Sequence, residues 1–513
     1  MNYAKDLSMI ITSKEYRRMQ DKTQLFYARK GDHYRTRLTH TQEVCDIALQ
    51  IAANLRKQNP RLQLDNELIM AIAYGHDVGH TPFGHVGERV LSSIIDGTDD
   101  LGSLIKPSTL SGHCFKHNAN SLRILTRQEF LTHQRKPLIS WQVLDGVLKH
   151  TAVYKTSADY NHLPQENQDD PYQIKKIMSK GKLSGGSKSF RALKTKHKFN
   201  YYHHNFALTI EGQIVAKADE IAQRISDFDD AVRAGYWTPA PNAFRKISRL
   251  NFFVKNAGAI RSLYFKPAKN SAKSLCDNLR DCLIAEVKFT AKKRARFSGQ
   301  NVYLDNCIEY LAGGDGETID KLFEDINKKY IIQCQEIRKC DSSSKHIIRQ
   351  LFKAFYKDIN QIDDNCINQI IYDFRAKLQS VFNQRRSSKR DKLIYVMPIG
   401  KKQIQFRSNL SLENKRIFIK CIKQLANGNN PVNTISSKTA WRLALDELSR
   451  TSKGGLPSNV KWTKQAEIRR KLTVELHTII VRNIAFYIAG MTDSFAREEY
   501  QRLYGIKMPI HSY

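Results

Sequence analysis

The chain lacks any apolar run of the roughly 18 residues that a membrane-spanning helix needs. No membrane partner is expected. Its opening segment, MNYAKDLSMIITSKEYRR, lacks the hydrophobic stretch of a signal peptide. Cysteine is sparse and unpatterned: nine are scattered over 513 residues with no CxxC pair. That spacing excludes a ribbon-type thiolate zinc site and argues against a disulfide framework, so a cytoplasmic, reducing setting is expected. Period-two alternation is also scarce. NVYL at 301–304 and KLIYVM at 392–397 are the best short strand candidates. There is no internal repeat and no coiled-coil heptad pattern. Acidic residues are outnumbered: 50 Asp and Glu face 83 Lys and Arg, a net charge of +33. Such an excess predicts attraction to polyanions, whether nucleotide, nucleic acid or anionic surface, and says nothing of fold.

What is present is a helical, core-forming chain. Hydrophobic residues make up 41%, enough to exclude wholesale disorder. Over 38–57, Val44, Ile47, Ala48, Ile51, Ala52 and Leu55 recur at three-to-four spacing, which predicts an amphipathic helix. Residues 66–77 are apolar nearly all round and predict a deeply buried one. Ile214, Ala218, Ile221, Ile225 and Phe228 predict a third over 213–230. The expected architecture is all-α with minor strands. The segment 155–200 holds Pro, Gly, Ser and many Lys, with no acidic residue after Asp170, and reads as a basic insertion.

Chemistry concentrates in His76-Asp77-Val78-Gly79-His80-Thr81-Pro82-Phe83-Gly84-His85-Val86-Gly87-Glu88. A His-Asp pair at the end of a buried helix is costly unless the charge has a partner, and metal binding is a usual reason to tolerate it. Imidazole with carboxylate suits Mn, Fe, Ni, Co or Zn. A closed site needs further ligands. His40 lies on the inward face of the first helix, in line with Val44 and Ile47. Asp219 lies on the third helix.

Several ordered segments resemble the HD-domain superfamily, and more narrowly the deoxyguanosinetriphosphate triphosphohydrolase (dGTPase) family. They are the run 35–44 (RTRLTHTQEV), His76-Asp77 with GHTPFGH, and Ala218-Asp219-Glu220-Ile221-Ala222. Residues 16–24 (YRRMQDKTQ), 115–123 (FKHNANSLR), 147–150 (VLKH) and 487–493 (YIAGMTD) also agree. The resemblance implies an all-α HD-domain fold with an additional helical C-terminal region. Its expected divisions are an HD core over 1–235, interrupted at about 155–200, a family-variable helical region over 236–480, and a C-terminal helical element over 481–513 near the active site.

By the same resemblance, His40, His76, Asp77 and Asp219 look like the ligands of one divalent metal ion, Mn2+ or Mg2+, with Co2+, Ni2+, Fe2+ or Zn2+ as alternatives. His80, Glu88 and His117 resemble acid/base and phosphate-contact residues, with His113 a second candidate in that loop. Arg37, Gln24, Lys149 and Asp227 resemble groups that touch phosphate or sugar. Asp227 lies two helical turns, roughly 12 Å, beyond Asp219. Gln223 stands where relatives often carry Tyr. The implied reaction is hydrolysis of dNTPs, dGTP favoured, to deoxynucleoside and tripolyphosphate. The implied assembly is a homo-oligomer, a hexamer favoured, with single-stranded DNA or a nucleotide as regulator. The alternatives are another HD phosphohydrolase, such as a nucleotidase or phosphodiesterase, and a nucleic-acid-binding protein whose HD site is secondary.

Overall fold

The computed structural model describes residues 2–25, 35–105, 115–126, 138–151, 206–234, 269–290, 294–297, 300–303, 305–367, 369–370, 373 and 462–505. The basic segment 155–200, the strand expected at 392–397 and His113 lie outside the described residues.

The fold is all-α, as expected. In chain order the helices are α1 (Tyr3–Ile11), α2 (Lys14–Arg18), α3 (Arg37–Gln58), α4 (Asn66–Gly75), α5 (Gly84–Ile95), α6 (His117–Leu125), α7 (Trp141–Leu148), α8 (Ile210–Arg233), α9 (Lys269–Glu286), α10 (Gly316–Ile326), α11 (Gln335–Lys357), α12 (Trp462–Ala489) and α13 (Asp493–Tyr504). Four short strands form two antiparallel pairs. β1 (Val287–Phe289) pairs with β4 (Ile308–Tyr310), and β2 (Arg294–Phe297) with β3 (Gln300–Tyr303). The last of these coincides with the NVYL segment.

The helices that frame the site begin at side-chain caps. Before α3, Thr36 and Thr39 form a reciprocal capping box. The Asp65 carboxylate accepts from Glu67 N and Leu68 N at 2.9 and 3.1 Å ahead of α4. Thr209 accepts from Gly212 N at 3.1 Å ahead of α8. Each cap satisfies amides that have no partner in the first turn.

Helix α4 stops at Gly75, two residues before its sequence pattern ends. The reason is tertiary. The His76 carbonyl accepts from Ser121 Oγ at 2.8 Å, and Gly79 N donates to the same hydroxyl at 2.9 Å. Asn120 Nδ2 donates to the Gly79 carbonyl at 2.7 Å. Polar groups of α6 thus take over bonds that another helical turn would have made. A Cβ on residue 79 would stand 2.1 Å from Ser121 N, so only glycine permits this approach.

Two hydrophobic cores result. The first joins α1, α3, α4, α7, α8 and α9 around Ile51, Leu55, Ile69, Ile72, Val147 and Phe228, all buried. The second joins α5, α11, α12 and α13 around Leu91, Ile94, Phe352, Phe355 and Ile484. Burying each such side chain contributes about 1.5–3 kcal/mol. The segment His76–Phe83 runs from the end of α4, in the first core, to the start of α5, in the second. The site lies on that seam.

Candidate metal centre and active site

His40 sits in the first turn of α3, and Asp219 faces it from α8. His40 Nε2 lies 3.0 Å from Asp219 Oδ1. His76 caps α4. Its Nδ1 lies 2.6 Å from the Ala73 carbonyl, which fixes the proton there and leaves Nε2 with its lone pair. That Nε2 is buried without a hydrogen-bond partner. It is 3.8 Å from Asp219 Oδ1 and 3.7 Å from Asp77 Oδ1. The four side chains expected as ligands therefore converge, and all but Asp219 are fully buried. An orphaned imidazole nitrogen facing two carboxylates is a donor set that fits a divalent transition-metal ion.

The charges agree with that reading. Burial opposes ionisation of Asp77, but His76, Arg37 and the neighbouring histidines hold its pKa well below the ordinary value. Burial likewise opposes ionisation of Asp219, and the bond from His40 and the His76 ring reverse the shift. Both carboxylates stay ionised, as ligands must.

Arg37 is 2% exposed. Its Nη1 pairs with Asp77 Oδ2, while Nε and Nη2 have no hydrogen-bond partner. A buried guanidinium with unspent donors beside a metal cluster is suited to an anionic ligand.

A second wall carries titratable groups. At the start of α6, His117 Nδ1 bonds the Glu88 carboxylate of α5, and His117 N donates to Glu88 Oε2 at 3.3 Å. The His80 and His117 rings stack at 4.3 Å, and His80, His85, Glu88 and His117 form one cluster. Burial would lower the His117 pKa, but the Glu88 charge and bond raise it. Burial would raise the Glu88 pKa, and His117 brings it down to about 2. Burial and the cations Arg37 and His117 push His80 well below its ordinary value. His85 completes the cluster at its exposed edge.

The remaining sequence candidates are placed variously. Gln24 is half-buried, its Oε1 without a partner, in the segment where Thr23 bridges Thr36. Asp227 is buried on α8, accepts from Asn327 Nδ2 at 3.3 Å, and is raised to about 7 by burial and by Asp230. Lys149 lies 3.4 Å from Asp145, both buried.

Four residues of the marked segments were given no role in the site from sequence: His150, His85, Lys22 and Asp493, of which Asp493 was read as either lining the site or packing the C-terminal helix. His150 follows α7 as His76 follows α4. Its Nδ1 is 2.7 Å from the Val147 carbonyl, three residues back, and its Nε2 is 3.9 Å from Asp77 Oδ1. The common His-after-helix pattern was the available signal. Lys22 Nζ donates to the His80 carbonyl and, at 3.0 Å, to the Ala489 carbonyl. Burial lowers its pKa to about 7. The Asp493 carboxylate accepts from Thr23 N at 3.0 Å and Phe83 N at 2.8 Å. It thereby ties the chain before Gln24 to the turn before α5. Phe83 and Gly84 in that turn both have positive φ, 60° and 59°. Lys22 and Asp493 lie in the marked segments 16–24 and 487–493, but only the fold shows what they hold.

Residues 37–223 match the HD domain family. That match and this donor set support a metal-dependent phosphohydrolase. Its relatives narrow the comparison. A deoxyguanosinetriphosphate triphosphohydrolase-like protein of Sinorhizobium medicae is 29% identical over 365 residues, covering 70% of this chain and 78% of the relative. Proteins of the same name from Nitrobacter hamburgensis and Caldanaerobacter subterraneus are 36% and 34% identical. Those alignments cover 45% and 46% of this chain and 48% of each relative. Among the described residues no helix is long and apolar enough to cross a membrane.

Proposed function

We propose that this chain hydrolyses deoxynucleoside triphosphates, dGTP among them, to deoxynucleoside and inorganic tripolyphosphate. The observation that carries the reading is Arg37. Its guanidinium is buried against Asp77, beside the cluster of His40, His76 and Asp219, with two nitrogens unspent. A metal cluster and an unspent guanidinium at one point suit a phosphate bound through its oxygens.

His40, His76, Asp77 and Asp219 would hold a divalent ion. When bound, it supplies Lewis acidity at the α-phosphate and activates water there. Arg37 orients the phosphate and neutralises charge that grows on its oxygens as water attacks phosphorus. The bond from phosphorus to the 5′-oxygen breaks, and that oxygen takes a proton. His117, kept protonated by Glu88, is placed to give it. His80, neutral and stacked on His117, is placed to accept the proton of the attacking water. Gln24 and Asp227 are assigned to the sugar, by resemblance to the relatives. The +33 net charge supports single-stranded DNA or a nucleotide as regulator, and a homo-oligomer rests on the family resemblance alone.

The test is product analysis with Mn2+ on each dNTP and NTP, separated by anion exchange, for the native chain and Asp77→Ala. Deoxynucleoside with tripolyphosphate, lost in the variant, is the expected result. Monophosphate with pyrophosphate, or diphosphate with phosphate, would move the chain to another phosphohydrolase reaction. No turnover, with salt-sensitive DNA binding, would leave a nucleic-acid-binding protein.

A further inference from the structure

The wall assigned to the sugar holds more polar groups than a deoxyribose can use. On α8, Asp219, Gln223 and Asp227 stand at i, i+4 and i+8, along one side of the helix at about one turn's spacing. Gln223 lies half-buried between the metal end and the sugar end of that row. Its Oε1 accepts from Arg224 Nη1 at 3.3 Å. Arg224 is itself drawn to α10, 3.6 Å from both Asp320 and Glu324. A guanidinium only donates, so the amide oxygen is turned to Arg224 and Nε2 is turned away from it. That Nε2 makes no hydrogen bond with any described residue.

Asn327 reaches Asp227 from the π-helical turn Asn327–Ile331, which follows α10 and packs on α8. Such turns are rare and recur at functional sites. Asn327 Nδ2 donates to Asp227 Oδ2 at 3.3 Å, so Oδ1 is the atom left over. The residue is 3% exposed, and that Oδ1 has no hydrogen-bond partner. A buried amide oxygen without a partner is costly, and a ligand that brings a donor relieves it.

The groups can be counted against the sugar. In a nucleoside triphosphate the 5′-oxygen carries phosphate, so a deoxyribose offers one hydroxyl, the 3′-OH. Gln24 and Asp227, the groups assigned to it, already supply a donor and an acceptor. One donor, Gln223 Nε2, and one acceptor, Asn327 Oδ1, remain beside Asp227. A ribose adds a hydroxyl on the neighbouring carbon, and a hydroxyl both donates and accepts. Its proton suits Asn327 Oδ1, and its oxygen suits Gln223 Nε2. An apolar side chain at 223 would strip water from that hydroxyl and return no bond, which is a basis for rejecting it. The amide does the reverse.

We propose that Gln223 and Asn327 bind a 2′-hydroxyl, so that the site takes ribonucleoside triphosphates alongside deoxynucleoside triphosphates. Nucleoside and tripolyphosphate are released by the same attack of water. The proposal rests on the triphosphate reading of the previous section and widens its substrate class. Gln223 is only half-buried, so water takes the place of the missing hydroxyl when a deoxyribose is bound.

The test is kcat/KM of the full chain with Mn2+ on GTP against dGTP, ATP against dATP and CTP against dCTP. For each base turned over, the ribo form should reach at least about a tenth of the deoxy value. Gln223→Leu and Gln223→Met, checked for unchanged melting, should lower the ribo-to-deoxy ratio about tenfold or more, and Asn327→Leu should lower it in the same direction. The readout is a ratio, so general damage to metal binding or folding cancels from it. A native chain whose ribo value falls below that tenth would overturn the proposal and leave the deoxynucleotide reaction standing. A ratio unmoved in both Gln223 variants would also overturn it. No turnover of any triphosphate would overturn the proposal together with the reading from which it starts.

Discussion

The two cores do different work at the seam. The first presents His40, His76 and Asp219 from α3, α4 and α8, helices packed directly on one another. Those side chains project from rigid, buried surfaces, as metal ligands must. The second core delivers His85 and Glu88 on α5, whose entry turn holds two successive positive-φ residues. That turn is held locally by the Thr81 hydroxyl, which donates to the Gly84 carbonyl at 2.7 Å, and from afar by Asp493, whose carboxylate also holds Thr23. The hold on the ion of the His40 site should therefore depend chiefly on the first core. The rate of the chemical step should depend on the alignment of both.

Five substitutions test this division. Asp219→Ala removes a carboxylate shared by His40 and His76. Metal content should fall and turnover should drop about 10³-fold or more, read by metal analysis and steady-state kinetics. An active variant with full metal content would contradict the assignment of ligands to the first core. Gly79→Ala should destabilise by about 3–5 kcal/mol, because its Cβ meets backbone rather than a flexible side chain. Chemical denaturation measures this, and a near-neutral result would show that α6 can retreat.

Glu88→Gln leaves the His40 side untouched but removes the charge that keeps His117 protonated. Turnover should fall about 10²-fold with the ion of the His40 site retained. Loss of that ion would show that the two walls are not separable. Asp493→Asn weakens the tie between the Thr23 segment and the α5 turn. A cost of about 1–3 kcal/mol is expected in thermal melting, together with a lower turnover at unchanged affinity for the His40-site ion.

The smallest effect depends on pH. Asp227 has a folded pKa of about 7, raised from 3.8 by burial and by Asp230. The folded state therefore binds the proton more tightly than the unfolded chain. This group's contribution is fully present below pH 3.8 and is lost as pH rises through about 7. Asp227→Asn should then melt higher than the native chain at pH 8 by about 1–2 kcal/mol, and equally at pH 4. No difference at pH 8 would mean that the carboxylate is satisfied when charged. If Asp227 also binds sugar, the same variant loses activity while gaining stability.

Much of this was legible in the sequence because it is local. Apolar spacing located α3 and α8 to within three residues at each end, and the His-Asp pair and GHTPFGH marked the catalytic segment. His40 could be selected because it lies on the inward stripe of an amphipathic helix, and Asp219 because its segment resembles the family's. The end of α4 was misjudged by two residues, since Ser121 and Asn120, far along the chain, capture the last turn. Lys149 drew attention that belonged to His150. Adjacent residues leaving a helix point to different sides, and only packing decides which side is the site.

The amino-acid sequence by itself determined the helices, their buried faces and the inventory of imidazoles and carboxylates. These follow from hydrophobic periodicity and residue chemistry, which act over a few turns of chain. The tertiary structure alone decided that His117 and His150 both come within 3.9 Å of one oxygen of Asp77, and that Asp493 closes the turn before α5. Those pairings join residues tens to hundreds of positions apart, and their geometry exists only once both cores have packed against the seam.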